Sequence, residues 1–191
     1  FVPVLSNGRV DLQKLEEMLD EHKDQISLVS IMAANNETGV IQPVDEIFGI
    51  CKRENVLFHT DATQVYGKIA TQIQADFITL SAHKFGGPKG IGALVVNKEI
   101  PPLLKGGPQE RESRAGTTNV PSIIGFGEAA KIAQNNIISN NLQIEIERIC
   151  QQYGGRIIGS ETSRLPNTTC VVFENVPGDM IVASLDLQNI Y

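Results

Sequence analysis

No stretch of the 191 residues stays apolar for the roughly 20 positions that a bilayer helix requires. The first residues, Phe1-Val2-Pro3-Val4, lack the basic-then-apolar order of a signal peptide. Together these absences read as a cytoplasmic protein with no membrane partner. A basic surplus is missing as well: 22 acidic side chains against 16 Lys and Arg leave a formal charge of −6. Nucleic-acid binding needs a basic surface, so no nucleic acid is expected as a partner. Cysteine is scarce, and Cys51, Cys150 and Cys170 form no CxxC pair that would bind zinc or exchange disulfides. They read as reduced, partly buried thiols. The glycines fit neither GxxxxGK[ST] nor GxGxxG, which excludes those two nucleotide-phosphate loops on spacing. Internal repeats, low-complexity tracts and an initiating Met are also lacking, and both ends read as cuts through structure.

What is present is an ordinary globular composition, 41% hydrophobic and 20% charged. The length allows one sizeable core, or one domain plus part of another. Phe1-Val2-Pro3-Val4 reads as a strand. Leu12, Leu15, Met18 and Leu19 recur at helical spacing behind Asp11, a natural cap. The run from Ile26 to Met32 is β-rich, and a second helix opens at Pro43 with Ile47, Ile50 and Cys51 on one side. Val56-Leu57-Phe58-His59, Asp76-Phe77-Ile78-Thr79-Leu80 and Ile91-Gly92-Ala93-Leu94-Val95-Val96 are near-continuous apolar runs, as strands covered on both faces should be. The fold class expected is therefore α/β, a mostly parallel sheet with helices on both faces.

Residues 103–120 carry glycine, proline and charge without periodicity, which predicts a long ordered loop, and such loops are more often functional than decorative. Residues 121–150 suit a long helix, interrupted near Asn140-Asn141, with Ile123, Phe126, Ala130, Ala133, Ile137 and Ile144 as a core-packing stripe. After Gly154-Gly155 the pattern restarts with a strand near 169–173 and a helix from Pro177. This divides the chain into residues 1–154 and a smaller domain beginning at 155–191.

Open α/β sheets place ligands at the carboxyl ends of their strands, and three such ends carry chemistry. They are Asn35-Asn36-Glu37-Thr38-Gly39, then His59-Thr60-Asp61-Ala62-Thr63-Gln64, then Ser81-Ala82-His83-Lys84-Phe85-Gly86-Gly87-Pro88-Lys89-Gly90. Neighbouring parallel strands would bring them into one crevice. Taken singly, Asp61 reads as a turn or cap residue, Lys84 as a solvated surface lysine, and Gly86 to Gly90 as a turn. His59, Asp61 and His83 lack the helical histidine spacing of zinc hydrolases, so no metal site is expected.

Taken together, Asn-Asn-Glu-x-Gly, His-x-Asp-Ala-x-Gln and Ser-x-His-Lys-x-x-Gly-Pro-x-Gly resemble the class V, or NifS-like, branch of the fold-type-I pyridoxal-phosphate enzymes. Gly106-Gly107-Pro108-Gln109-Glu110-Arg111, running to Arg114-Ala115-Gly116-Thr117, is similar to the corresponding segment of cysteine desulfurases and selenocysteine lyases. The resemblance implies a fold-type-I transferase with pyridoxal 5'-phosphate as cofactor, carried as a Schiff base by Lys84. It implies Asp61 at the pyridine nitrogen, Asn36 and Gln64 at the phenolic oxygen, and Ser81 and His83 at the phosphate. Thr117 matches a threonine that reaches the neighbouring subunit's phosphate, which implies a homodimer.

The activity so implied is release of sulfur from L-cysteine, giving L-alanine and an enzyme persulfide, with a sulfur-acceptor or scaffold protein as a further partner. A selenocysteine lyase, an aminotransferase for small amino acids and a non-catalytic scaffold are the alternatives. The family's phosphate-gripping helix start, ring-stacking histidine, cysteine loop and carboxylate-binding arginine find no counterpart in these residues. The 191 residues alone are therefore expected to be inactive, and none of the three cysteines is assigned as sulfur carrier.

Overall fold

A computed structural model of the protein describes residues 1–70, 72–133 and 138–190. Helix α1 spans Leu12–Glu21, β1 Leu28–Ser30, α2 Val44–Arg53, β2 Leu57–Asp61, β3 Phe77–Ser81 and β4 Gly92–Val96. These are followed by α3 at Val120–Ala133, α4 at Asn141–Gln152, β5 at Gly155–Ile157, β6 at Val171–Phe173 and α5 at Gly178–Asp186.

Strands β1 to β4 form one sheet in chain order. The first two pairings are parallel and the last is antiparallel. Residues 82–91 between β3 and β4 are fewer than the dozen or more that a parallel crossover needs, so β4 must turn back. The expected class, an α/β fold on a mostly parallel sheet, is what the chain forms.

Asp11 caps α1, its side chain accepting from the Lys14 amide at 3.1 Å, and Leu15 and Leu19 turn inward. Helix α2 places Asp45 and Glu46 in its first turn and Lys52 and Arg53 in its last, matching the helix dipole at both ends. The two helices bury one face of the sheet in a cluster of Leu15, Leu19, Val29, Ile47, Ile50, Cys51, Val56 and Phe58. Val29 and Phe58 alternate with Ser30, His59 and Asp61, which therefore point to the opposite face.

Several expectations are corrected. Phe1 to Val4 makes only an isolated antiparallel bridge, Val4 to Val10, and the strand expected over Ile26 to Met32 shortens to Leu28–Ser30. A strand is sustained by its ladder, and among the described residues β1 has a partner on one side only. The long helix is interrupted where expected, α4 starting behind Asn140 and α3 being described from Val120 to Ala133. Its stripe is not uniformly core: Ala133 is buried, but Ile123 and Ile144 are 41% and 56% exposed, because no described element covers them. Ile137 of that stripe lies outside the described residues.

Candidate active site

Asp61 closes β2 and Ser81 closes β3, and the pairing of Asp61 with Thr79 sets the two strand ends side by side on one face. Asp61 Oδ1 accepts from the Thr63 amide at 2.9 Å, an Asx-type turn that holds the carboxylate at the sheet rim. The other oxygen takes no hydrogen bond from any described residue. Beneath it, His59 spans three strands, sharing hydrogen bonds with Ser30 Oγ through Nδ1 at 2.7 Å and with Thr79 Oγ1 through Nε2 at 2.8 Å. Both ring nitrogens are thus engaged, and His59 forms no three-ligand metal cluster with Asp61 and His83 among the described residues.

Beyond β3 the chain makes one short turn, Ala82–Phe85, ended by Gly86 at φ 88°. A β-carbon at that φ would be strained, so glycine is the natural stop. Ser81 Oγ and His83 Nδ1 share a hydrogen bond at 2.9 Å. Phe85 is anchored between Tyr66 and Phe126, with ring centroids 5.0 and 5.4 Å away, which ties the turn to the segment after β2 and to α3. Lys84, the residue before this anchor, is exposed and has no ion-pair or hydrogen-bond partner among the described residues.

Gln64 accepts from Lys68 Nζ at 2.7 Å. Lys68 is buried, and its amine is pushed below the usual lysine range by that burial and by the charge of nearby Lys84. Pattern reading missed Lys68; the i, i+4 spacing from Gln64 was the available signal. It also missed the Ser30–His59–Thr79 ladder, which depends on strand register.

The end of β1 lies beside that of β2, the Ala33 amide donating to the Asp61 carbonyl at 2.8 Å. Asn35 Oδ1 accepts from the amides of Glu37 and Thr38, folding the turn after β1, while exposed Asn36 donates to Glu37 Oε1 at 2.7 Å. Thr117 is exposed in the loop before α3, a loop whose Gln109–Glu112 turn holds Glu110, Arg111 and Glu112 at positive φ. Neither Asn36 nor Thr117 hydrogen-bonds to Asp61, Gln64, Ser81, His83 or Lys84. The strand ends form an open rim rather than a closed crevice. An apolar cavity of about 310 Å³, lined by Ala62, Tyr66, Gly67, Ile78, Leu80 and Ala133 among others, lies on the other side of the sheet from Asp61.

The donor set at this rim suits a phosphorylated pyridine aldehyde. It offers an amine without a counter-ion, a carboxylate oxygen free to meet a ring N–H, a hydroxyl–imidazole pair for phosphate, and an amide beside them.

Known proteins resemble this chain over nearly its whole length. A cysteine desulfurase from Sinorhizobium fredii is 40% identical over 204 residues, covering 99% of this chain and 51% of that protein. A solved NifS-like protein from Rickettsia africae superposes with a TM-score of 0.94 at 38% identity, covering 100% of this chain and 56% of the other. A structure described as SspA in complex with cysteine matches with a TM-score of 0.79 at 33% identity, over 98% of this chain and 53% of that one. The chain thus spans about half the length of the relatives it matches. The class-V aminotransferase profile covers residues 1–191, and the chain belongs to that family.

Proposed function

We propose that this chain carries the cofactor-binding part of a cytoplasmic pyridoxal-phosphate enzyme that takes sulfur from L-cysteine, giving L-alanine and an enzyme persulfide. In this reading residues 1–154 belong to the large domain and residues 155–191 begin the small one. The reading rests on one observation, that Asp61 and Ser81 close adjacent strands on one face, with the His83-Lys84 turn following directly. L-cysteine as substrate is supported by the relative solved in complex with cysteine and by the 40% identical desulfurase.

When bound, pyridoxal phosphate supplies an electron sink for bond breaking at the substrate α-carbon. Lys84 binds its aldehyde, with no ion pair to break first. Asp61 holds a proton at the pyridine nitrogen with the oxygen that Thr63 leaves free. Asn36 and Gln64 donate to the phenolic oxygen, and Ser81 and His83 bind phosphate. Thr117 serves the phosphate site of a second copy, which makes a homodimer part of the proposal. A sulfur-acceptor or scaffold protein then takes the persulfide sulfur.

The test is to add pyridoxal phosphate, look for a yellow band, reduce with borohydride and map the modified peptide. The label is expected on Lys84. A label on another residue, or none in the full-length protein, overturns the proposal.

A further inference from the structure

Among the described residues Lys68 is the one charged side chain that is buried, at 7% exposure. No carboxylate pairs with it; its Nζ meets Gln64 Oε1 at 2.7 Å. A residue with a purely structural task would gain by being apolar here, since an ammonium with a neutral partner is expensive to bury and a methionine stem of similar length is not. The position therefore asks for the charge.

What the charge does follows from hydrogen-bond inventory. An ammonium has donors only, so the Gln64 atom it meets must be the amide oxygen, whichever way the amide would otherwise turn. The Gln64 NH₂ is left over, and no described residue accepts from it. An ionised phenolic oxygen needs a donor; the opposite amide orientation would present an oxygen to it and repel. The nearby charge of Lys84, which helps push the Lys68 amine down, puts Lys68 within electrostatic reach of that same rim.

We propose that Lys68 is a positioning residue for Gln64: by holding the amide through its oxygen, it commits the amide nitrogen to the phenolic oxygen of the bound cofactor. This rests on the reading of Gln64 and Lys84 given above, and it goes beyond it by assigning a task to a residue outside the family pattern matched in the sequence.

The experiment is a pH titration of the visible absorption band in the full-length protein loaded with pyridoxal phosphate, for wild type, Lys68→Met, Lys68→Arg, Gln64→Met and the double variant Lys68→Met/Gln64→Met. A hydrogen bond to the ionised oxygen favours the form that has lost its proton, so losing it raises the titration midpoint, here by about one pH unit. Lys68→Met and Gln64→Met are expected to shift it alike, Lys68→Arg to restore most of the wild-type value, and the double variant to move no further than either single one.

Cofactor dissociation constants, measured alongside by spectral titration, should rise about tenfold in the same variants, the equivalent of one charge-assisted hydrogen bond. A Lys68→Met protein that melts earlier but keeps the wild-type midpoint has lost only a structural lysine, and the proposal fails. Additive shifts in the double variant also defeat it, because Lys68 would then act directly. A wild type with no visible band removes the cofactor reading itself, a distinct outcome from a wild-type band that Lys68→Met leaves in place.

Discussion

Arg164 grips Glu147 with both guanidinium nitrogens, at 2.7 and 2.8 Å, and Thr169 Oγ1 adds a third hydrogen bond to the same carboxylate at 2.8 Å. Gln143 of the same helix donates to the carbonyls of Leu165 and Thr168. Helix α4 thereby clamps the strap between β5 and β6. That strap bridges Val40 through Arg164 and buries Leu165 against Ala33, Ala34 and Ala62. The turn that presents Asn36 is therefore braced from more than a hundred residues downstream.

Arg164→Met should cost about 2 kcal/mol, the range for losing charge-assisted hydrogen bonds from a mostly buried pair. Urea unfolding followed by far-UV circular dichroism measures it. An unchanged midpoint would mean that the clamp adds nothing to stability.

The same pair makes stability depend on acid. Arg164 chiefly, with Thr169, holds the Glu147 carboxyl below its ordinary range against the opposing effect of burial. A carboxyl with a depressed folded value stabilises the protein fully above its unfolded value of about 4.3, and that contribution is lost as pH falls through the lower folded value. The gap in unfolding midpoint between wild type and Arg164→Met should be constant from pH 7 to 5 and narrow below about pH 4.

Alkylation should rank the cysteines. Burial first, and the Asp76 charge second, push the Cys51 thiol up to about 11, and the side chain is fully enclosed in the α1–α2 core. Cys150 and Cys170 are half-exposed. Thiolate is the reactive form, so iodoacetamide at pH 7.5 should label Cys150 and Cys170 well before Cys51, read by peptide mass spectrometry over time. Early labelling of Cys51 would show that this core opens readily.

Asp61→Asn separates charge from architecture. An asparagine oxygen can still accept from the Thr63 amide, so folding should be little changed. What disappears is the negative charge proposed to face the pyridine nitrogen. In the full-length protein the rate of L-alanine formation should fall by about two to three orders of magnitude, typical for removing one preorganised electrostatic group. A loss below tenfold would remove Asp61 from the proposed machinery.

The element pattern and the chemical vocabulary of the site were legible along the chain because both are local. Leu15 and Leu19 recur with the period of a helix, the runs at 56–59 and 76–80 foreshadow the strands at 57–61 and 77–81, and each is followed by its polar residues within a few positions. The length of β1 and the burial of the stripe after residue 120 were misjudged for a common reason. An apolar run shows what a segment could bury, not whether a neighbour is there to receive it, and Leu28, Ile123 and Ile144 remain exposed.

The amino-acid sequence by itself determined the α/β class and the order of the three strand-end segments, since propensity, periodicity and spacing act between near neighbours; the roles of Asp61, Gln64 and Lys84 were implied by the family resemblance of those segments. Tertiary structure alone decided the Asp61–Thr79 register, the His59 ladder, the reversal of β4, the burial of Lys68 beside Gln64 and the bracing of the Asn36 turn by α4. Each of these joins groups far apart in the chain or sets how deeply a side chain is covered, and both depend on how strands pair and helices pack rather than on what any single segment prefers.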